Sequence, residues 1–529
     1  MLTHAGQTAG RPSASAVRDH TESAETHDGP GDRRSVRPDA SPIASRPRSG
    51  QVVLVSDRGP VRFRFRGPDT LDPEPQSSAV TATLRRVAAR TECPISWVTQ
   101  STSAADAYAM HHGLYDALGL GYSMQVVPIS EADFRGYYFD GGIDVIWPVL
   151  CDLDDIPVRF DTKHPLSSLA PYHRVNKRLA ARAAQVAAPG AVVAVQDYQL
   201  MLAPAAIRAA RPDLAIIHFL HTPFPTVTSL ARLPTVIVST LVDGMLGADL
   251  LGFQSPRWAR RFLACCQWLG HDVNEEHGYI HCPGRRVWVR CYPVAVDCAA
   301  LTRQMQSPAV RRWTAATVAC DRARRIVRVD RMDPAKNTVR GFQAYARLLN
   351  QHPDLAREVR FIACLVPTVR EQAAAYRRFA AQVWRVVAEI NRQHPGAITV
   401  HYGNDKDRAL AVLGGYDVLL VNAGADGQNL VALEGPIVNA QDGAMVLSRT
   451  VGAADVLGVG ALILDDPRDI DLTARALHTA LTMPADERRT RARLMRRAVE
   501  NLDAGGWLDR QLADVAAVRH GGAPSTSPP

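Results

Sequence analysis

The chain has 529 residues, 46% of them hydrophobic and 22% charged, and a formal charge of +8. That length allows two domains with separate cores, and that balance belongs to a soluble globular protein. The positive charge alternates with acidic residues and no basic run is interleaved with aromatics, which argues against a nucleic-acid module and leaves room for a phosphorylated small substrate.

No run reaches the roughly 18 apolar residues of a membrane span. The N-terminus has no apolar signal core, and the nine cysteines form no CxxC pair. These features point to a cytoplasmic protein with reduced thiols. Cys282, Cys291 and Cys298 fit no common zinc spacing, and neither metal nor cofactor is expected.

Residues 1–50 are rich in Ser, Ala, Pro, Gly, Asp and Arg, too poor in large apolar side chains to offset ordering entropy, and are expected to form a disordered leader. Gln51 to Ser56 reads as the first buried parallel strand. The turn Asp57-Arg58-Gly59-Pro60 leaves Arg58 at that strand's C-terminal end, where open α/β sheets bind ligands. A mobile loop is expected over 67–78. Then come a helix at 79–90, a strand at 95–98, a helix at 104–118, a strand at 124–128, and the aromatic positions Tyr138 and Trp147.

A helix at 172–188 leads to a strand at 191–195 that ends in Gln196-Asp197-Tyr198. After a helix at 200–210, the strand 215–220 runs into His221-Thr-Pro-Phe-Pro225, whose prolines end it. A second alternation places strands at 326–330, 359–365, 398–401, 418–421, 444–447 and 461–464. The fold class is therefore α/β, with two doubly wound, Rossmann-like halves facing each other. The expected divisions are a first half at 51–299, a second at 300–483, helices at 484–518 packing across the junction, and a disordered tail at 519–529. The cleft between such halves is the default ligand site.

Asp426-Gly-Gln-Asn429-Leu430-Val431-Ala-Leu-Glu434 follows a buried strand and opens a helix, a geometry that presents backbone N–H groups and the positive helix end to an anion. An ordinary turn with an acidic cap fits the same residues. Glu434 is too far along the helix to meet the same phosphate and suits a diol such as a ribose. Arg331 and Lys336, in a tight turn after strand 326–330, can clamp a diphosphate or form a solvated charged loop. Asp197, after a run of Val and Ala, wants partners and can hold sugar hydroxyls. His221 is either a hydrogen-bonded core residue or a ligand contact. Arg58, Tyr138, Trp147 and Arg370 together would make a phosphate pocket with aromatic walls. Asn404 opens a polar turn that could read a nucleotide base. Asp152 to Asp155 reads as a surface acidic loop rather than a metal motif.

Taken in order, Val55-Ser-Asp-Arg-Gly-Pro60, Tyr138 with Trp147-Pro148, Tyr172 with Val175-Asn176, Gln196-Asp-Tyr198, Phe219-Leu-His-Thr-Pro-Phe-Pro225, Leu251-Gly-Phe-Gln254, Asp330 to Lys336, Pro367-Thr-Val-Arg370, and Asp426 to Leu430 with Glu434 resemble the trehalose-6-phosphate synthases. These are retaining, metal-free glycosyltransferases of family 20 with the GT-B fold. The resemblance implies transfer of glucose from GDP- or UDP-glucose to glucose 6-phosphate. It implies that Arg331 and Lys336 hold the donor diphosphate, with the backbone of Asn429, Leu430 and Val431 assisting. Glu434 would take the ribose, Asp426 the donor sugar's hydroxyls, and His221 the donor sugar near its reacting carbon. Asp197 would contact the acceptor sugar, and Arg58, Tyr138, Trp147 and Arg370 its 6-phosphate.

Four departures stand out. Gln76-Ser-Ser-Ala79 replaces a double glycine, Ala425 a basic residue, Gln428 a common Met and Gln196 a frequent His. Gln428, with Asn439-Ala-Gln-Asp442 and Ile95-Ser-Trp97, is similar to a branch that includes GDP-sugar users and a pseudo-glycosyltransferase joining a nucleotide-activated cyclitol to an aminocyclitol phosphate. That coupling enzyme and a non-catalytic sugar-phosphate sensor are the alternatives. No membrane or nucleic-acid partner is expected, and a homo-oligomer is left open.

Overall fold

The computed structural model describes residues 50–67, 70–76, 79–91, 93–320 and 323–529. Nearly all of the expected leader lies outside them, as do Ser77 and Ser78 of the loop that replaces the double glycine.

Runs such as Val52–Val55, Leu250–Phe253 and Val418–Val421 are buried along their whole length, as strands covered by helices on both faces must be. In the first half they form a nine-stranded sheet. Its parallel strands run in the order Ser123–Pro128, Ile95–Ser101, Val52–Val55, Val192–Gln196, Ala215–Leu220, Leu250–Phe253 and Arg285–Cys291. Tyr279–Cys282 and Val273–Asn274 complete one edge antiparallel. The second half is a six-stranded parallel sheet in the order Ile398–Tyr402, Val359–Val366, Arg324–Arg331, Val418–Val421, Ala444–Ser448 and Leu462–Leu464.

In each sheet the strand order reverses beside the first strand laid down. Ligands bind at that switch point, outside the carboxyl ends of the strands. Arg58 follows Val52–Val55 there, Arg331 ends Arg324–Arg331, and Asp426 follows Val418–Val421. The two Rossmann-like halves make a GT-B architecture. Among the described residues, no helix is long and apolar enough to cross a membrane.

Several expectations need correction. The stretch expected as a mobile loop contributes to a hairpin of Val61–Gly67 with Thr70–Pro75. Cross-strand pairs of Arg62 and Arg64 with Glu74 support it, and the Phe63 ring is buried 4.9 Å from that of Tyr115. The helix expected over 104–118 stops at His111, where Gly113 turns left-handed at φ +66°. The two C-terminal helices divide between the halves. Ala485–Glu500 packs Met495 and Val499 onto the second half, and Trp507–Arg519 packs Trp507, Leu508 and Val515 onto the first sheet. The tail is held in place, because Asp514 Oδ1 accepts from both Ser525 N and Ser525 Oγ at 2.7 Å. A buried carboxylate needs donors, and the tail supplies them.

The acidic loop links the halves. Asp154 pairs with Arg468 at 2.7 Å and Asp155 with Arg340 at 2.8 Å, while Asp152 meets Arg261 at 3.1 Å.

Candidate active site

The turn after Arg324–Arg331 is built on a buried ion pair. Arg328, with no exposed surface, donates to Asp330 Oδ2 at 2.8 and 3.0 Å and to the Lys336 carbonyl at 2.8 Å. That brace aims Lys336 at the opposite strand end, where its Nζ lies 2.5 Å from Asp426 Oδ2 and 3.7 Å from Asp330 Oδ1. Arg331 is half-exposed, and its nearest carboxylate is Asp333 at 3.9 Å.

Asp426 also accepts from Asn429 Nδ2 at 3.0 Å. Asn429, at φ +71°, caps the helix Leu430–Val438 by accepting from Ala432 N at 3.0 Å. Between them, Gly427 brings this turn against the first half, since a Cβ there would stand 1.8 Å from the His221 carbonyl oxygen. Trp258 Nε1 holds the contact by donating to the Gly427 carbonyl at 3.0 Å.

Arg370 sits in a short helix, Val369–Gln372, capped by Thr368. Its guanidinium lies 3.9 Å from the Trp147 ring centre and donates to Asp333 Oδ2 at 2.9 Å and to the hydroxyls of Tyr198 and Tyr376 at 3.4 Å. Arg58 donates to the Tyr138 hydroxyl at 3.2 Å, with Asp57 at 3.7 Å. Tyr138 and Trp147 come from a helix wound with π geometry over Arg135–Ile146, which continues into Trp147–Leu150. Such winding is uncommon and concentrates at functional sites. The result is two cations against two aromatic rings.

Asp197 adopts φ +68°, and its Oδ1 accepts from His221 N at 3.2 Å. Burial pushes its carboxyl up to about 6, against the opposing pull of the Tyr198 N–H and the Arg370 charge. His221 Nε2 lies 2.9 Å from Gln196 Oε1, and its Nδ1 lies 3.3 Å from Gln254 Nε2. Burial, helped by neighbouring His218, lowers its pKa to about 3, so the ring is neutral at physiological pH.

One cavity of about 570 Å³ is lined by Arg58, Tyr138, Trp147, Asp197, His221 and Arg370. The same cavity is lined by Arg331, Lys336, Asn404, Asp426, Asn429, Leu430 and Val431. Of the candidate residues only Glu434 is missing from its wall. Glu434 lies half-buried near Lys406 and Arg86, and burial raises its carboxyl pKa against those two charges. Sequence reasoning missed Asp333, which the fold buries against Arg370 and which also accepts from Ala335 N at 3.1 Å. The Asp-Pro pair marks it as a turn cap, but nothing local announces a partner at position 370. It also missed the bonding of Gln196 and Gln254 to the imidazole.

The cavity joins cations suited to a diphosphate, a second cationic pocket with aromatic walls, and carboxylates able to accept from sugar hydroxyls. The sequence profile of Glycosyltransferase family 20 matches residues 50–517. The trehalose-6-phosphate synthase of Mycolicibacterium vanbaalenii is 30% identical over 513 residues, which is 91% of this chain and 99% of that protein. A bifunctional trehalose-6-phosphate synthase/phosphatase of Thermoproteus tenax is 29% identical over 396 residues, 73% of this chain, and the chain spans 52% of its length. The solved UDP-forming α,α-trehalose-phosphate synthase of Burkholderia xenovorans, in complex with glucose-6-phosphate, superposes with a TM-score of 0.74 at 25% identity, over 88% of this chain and 100% of that one. The chain belongs to glycosyltransferase family 20.

Proposed function

We propose that this chain transfers glucose, with retention, from a nucleoside diphosphate glucose to glucose 6-phosphate and so makes trehalose 6-phosphate. The observation that carries the reading is the single cavity in which the Arg331–Lys336 turn and the Arg58–Arg370 pocket are both present. A donor with a diphosphate and an acceptor with one phosphate need two separate cationic sites within one sugar's reach. The glucose-6-phosphate complex of the Burkholderia xenovorans relative supports the acceptor.

In this reading Lys336 and Arg331 neutralise the charge that develops on the departing diphosphate, and the N–H groups at Asn429 to Val431 add the helix-end field. Asp426, held by Lys336 and Asn429, is poised to accept from a donor-sugar hydroxyl. Asp197 faces the acceptor sugar, and Arg58 and Arg370 receive its phosphate. Holding both sugars in attack geometry supplies much of the acceleration. The departing phosphate takes the acceptor's proton, so the protein's part is orientation and charge stabilisation.

The test is a product assay with glucose 6-phosphate, offering UDP-glucose and GDP-glucose separately. Trehalose 6-phosphate from either donor would establish the reaction and name the base. A folded protein that makes none from either would overturn the proposal and direct the search to a cyclitol donor and an aminocyclitol phosphate.

A further inference from the structure

The His221 ring lies within a line of hydrogen bonds whose direction is fixed at both ends by the backbone. Val294 N–H donates to Gln254 Oε1 at 2.8 Å. A backbone N–H only donates, so the end of this amide that faces His221 Nδ1 at 3.3 Å is the Nε2 donor. On the other side Gln196 Nε2 donates to the Ala194 carbonyl at 3.3 Å. A carbonyl only accepts, so the end that faces His221 Nε2 at 2.9 Å is the Oε1 acceptor. The ring accepts at Nδ1 and donates at Nε2.

Neither amide can turn over cheaply. Gln196 is 1% exposed and Gln254 4%, and reversing either sets donor against donor or acceptor against acceptor at a buried backbone group. The ring plane is fixed as well, with the Phe219 and Trp507 ring centres 4.7 and 5.7 Å away. Gln428, from the turn that carries Asp426, donates to the Val294 carbonyl at 3.4 Å, so one residue ties the donor-side turn to the ring.

We propose that Gln196 and Gln254 are positioning residues that hold His221 as the neutral Nε2–H tautomer, so that the ring is a fixed wall of the cleft and neither takes nor gives a proton during sugar transfer. The catalytic half of this statement rests on the reaction proposed above; the tautomer rests on the hydrogen-bond order alone. A proton at Nδ1 would face the Gln254 amide N–H, a contact with no acceptor. The titratable groups around the ring are His218 and Asp197, with Lys336, Arg331 and Asp426 lining the same cavity.

The experiment is NMR of the imidazole nitrogens in the full chain labelled with 15N-histidine, with His221 assigned by the signals lost in His221→Gln. The expected spectrum has an unprotonated Nδ1 and a protonated Nε2, unchanged from pH 5 to 8. A ring with its proton on Nδ1, or one that titrates in that interval, overturns the proposal. Gln254→Glu keeps the acceptor for Val294 N–H but replaces the donor to Nδ1 with a carboxylate. His221 should then gain a second proton at neutral pH. Transfer should lose at least tenfold in kcat, with KM for both substrates within twofold, and should recover as pH rises toward 9. A pH–rate profile identical to the parent's overturns the positioning role. The spectrum of the unmodified chain tests the tautomer whether or not Gln254→Glu folds. A chain that shows the fixed tautomer but transfers no glucose refutes the proposed reaction alone. One that transfers glucose through a titrating His221 refutes this inference alone.

Discussion

Arg370 and Lys336 both follow strands of the second half and both line the cleft, yet the fold treats them differently. Arg370 is enclosed: Trp147 covers one face of the guanidinium, Asp333 takes one nitrogen, and two tyrosine hydroxyls stand at 3.4 Å. Lys336 is a point charge between two carboxylates, Asp426 at 2.5 Å and Asp330 at 3.7 Å, with half-exposed Arg331 beside it. A planar, multidentate cation suits a phosphate that must sit in one pose. A compact ammonium on a flexible stem suits a diphosphate whose charge grows as its bond to the sugar breaks. Under the proposed function, the acceptor end of the cleft is thus preorganised, and the donor end is adjustable. Asp333 joins them, since its Oδ2 lies 2.9 Å from Arg370 and 3.9 Å from Arg331.

The largest expected effect tests the adjustable end. Lys336→Ala removes a charge that the proposed reaction sets against the departing diphosphate and should lower kcat/KM by about a thousandfold, roughly 4 kcal/mol. Its effect on stability should be small, because Asp426 keeps Asn429 and opens onto the cleft. Arg331→Ala, more solvated, should cost about a hundredfold. Steady-state rates with saturating acceptor decide it, and parental values in both variants would sink the diphosphate assignment. Asp333→Ala tests the joint: it strands a buried guanidinium and should destabilise the chain by about 3 kcal/mol in urea. A matched loss in Arg370→Met, with little further loss in the double variant, would show that the pair acts as one unit.

Asp197 makes a prediction with a definite sign. Its carboxyl is raised from the ordinary range to about 6, so the folded state holds the proton more tightly than the unfolded chain. Stability therefore falls as pH climbs from about 4 to about 6, and the penalty is fully present above that. Asp197→Asn removes the charge, keeps an oxygen for the His221 N–H and tolerates φ +68°. It should stabilise the protein by roughly 2 kcal/mol at pH 7 and by almost nothing at pH 3.5, while slowing transfer. Denaturant midpoints at both pH values measure it, and an equal gain at each would refute the buried-charge account.

Much of this was legible because parallel strands buried on both faces write themselves as short apolar runs, and the residue after each run falls at the sheet's C-terminal edge. Asp197 and His221 directly follow such runs, Arg331 ends one, and Arg58 and Asp426 stand three and five residues beyond theirs, so reading strand ends was nearly reading the cavity wall. Asp333, Gln196 and Gln254 were harder, because their work is defined by partners distant in sequence: Arg370 for the first, and both nitrogens of one imidazole for the others. The hairpin at 61–75 was missed for a different reason. Proline at 73 and 75 reads as loop, yet at an isolated two-stranded ribbon the absent N–H groups face no third strand. The tail was misjudged by composition, which carries no record that Asp514 needs donors from Ser525.

The smallest effect sharpens the contrast within the pocket proposed for the acceptor. Arg58 and Arg370 both line it, but among the described residues Arg58 meets the Tyr138 hydroxyl at 3.2 Å and Asp57 at 3.7 Å, and its side chain is 37% exposed. Removing it strands no buried carboxylate, because Asp57 Oδ1 still accepts from Tyr137 and Gln100 at 3.0 and 3.1 Å. Arg58→Ala should therefore leave the unfolding midpoint close to the parent's. It should raise KM for the phosphorylated acceptor about tenfold, near 1.4 kcal/mol, with KM for the donor within twofold. Arg58→Lys keeps the charge without the fork and should recover part of that loss. If acceptor KM stayed at the parental value while donor KM rose, Arg58 would belong to the donor end and the division of the cleft drawn above would fail.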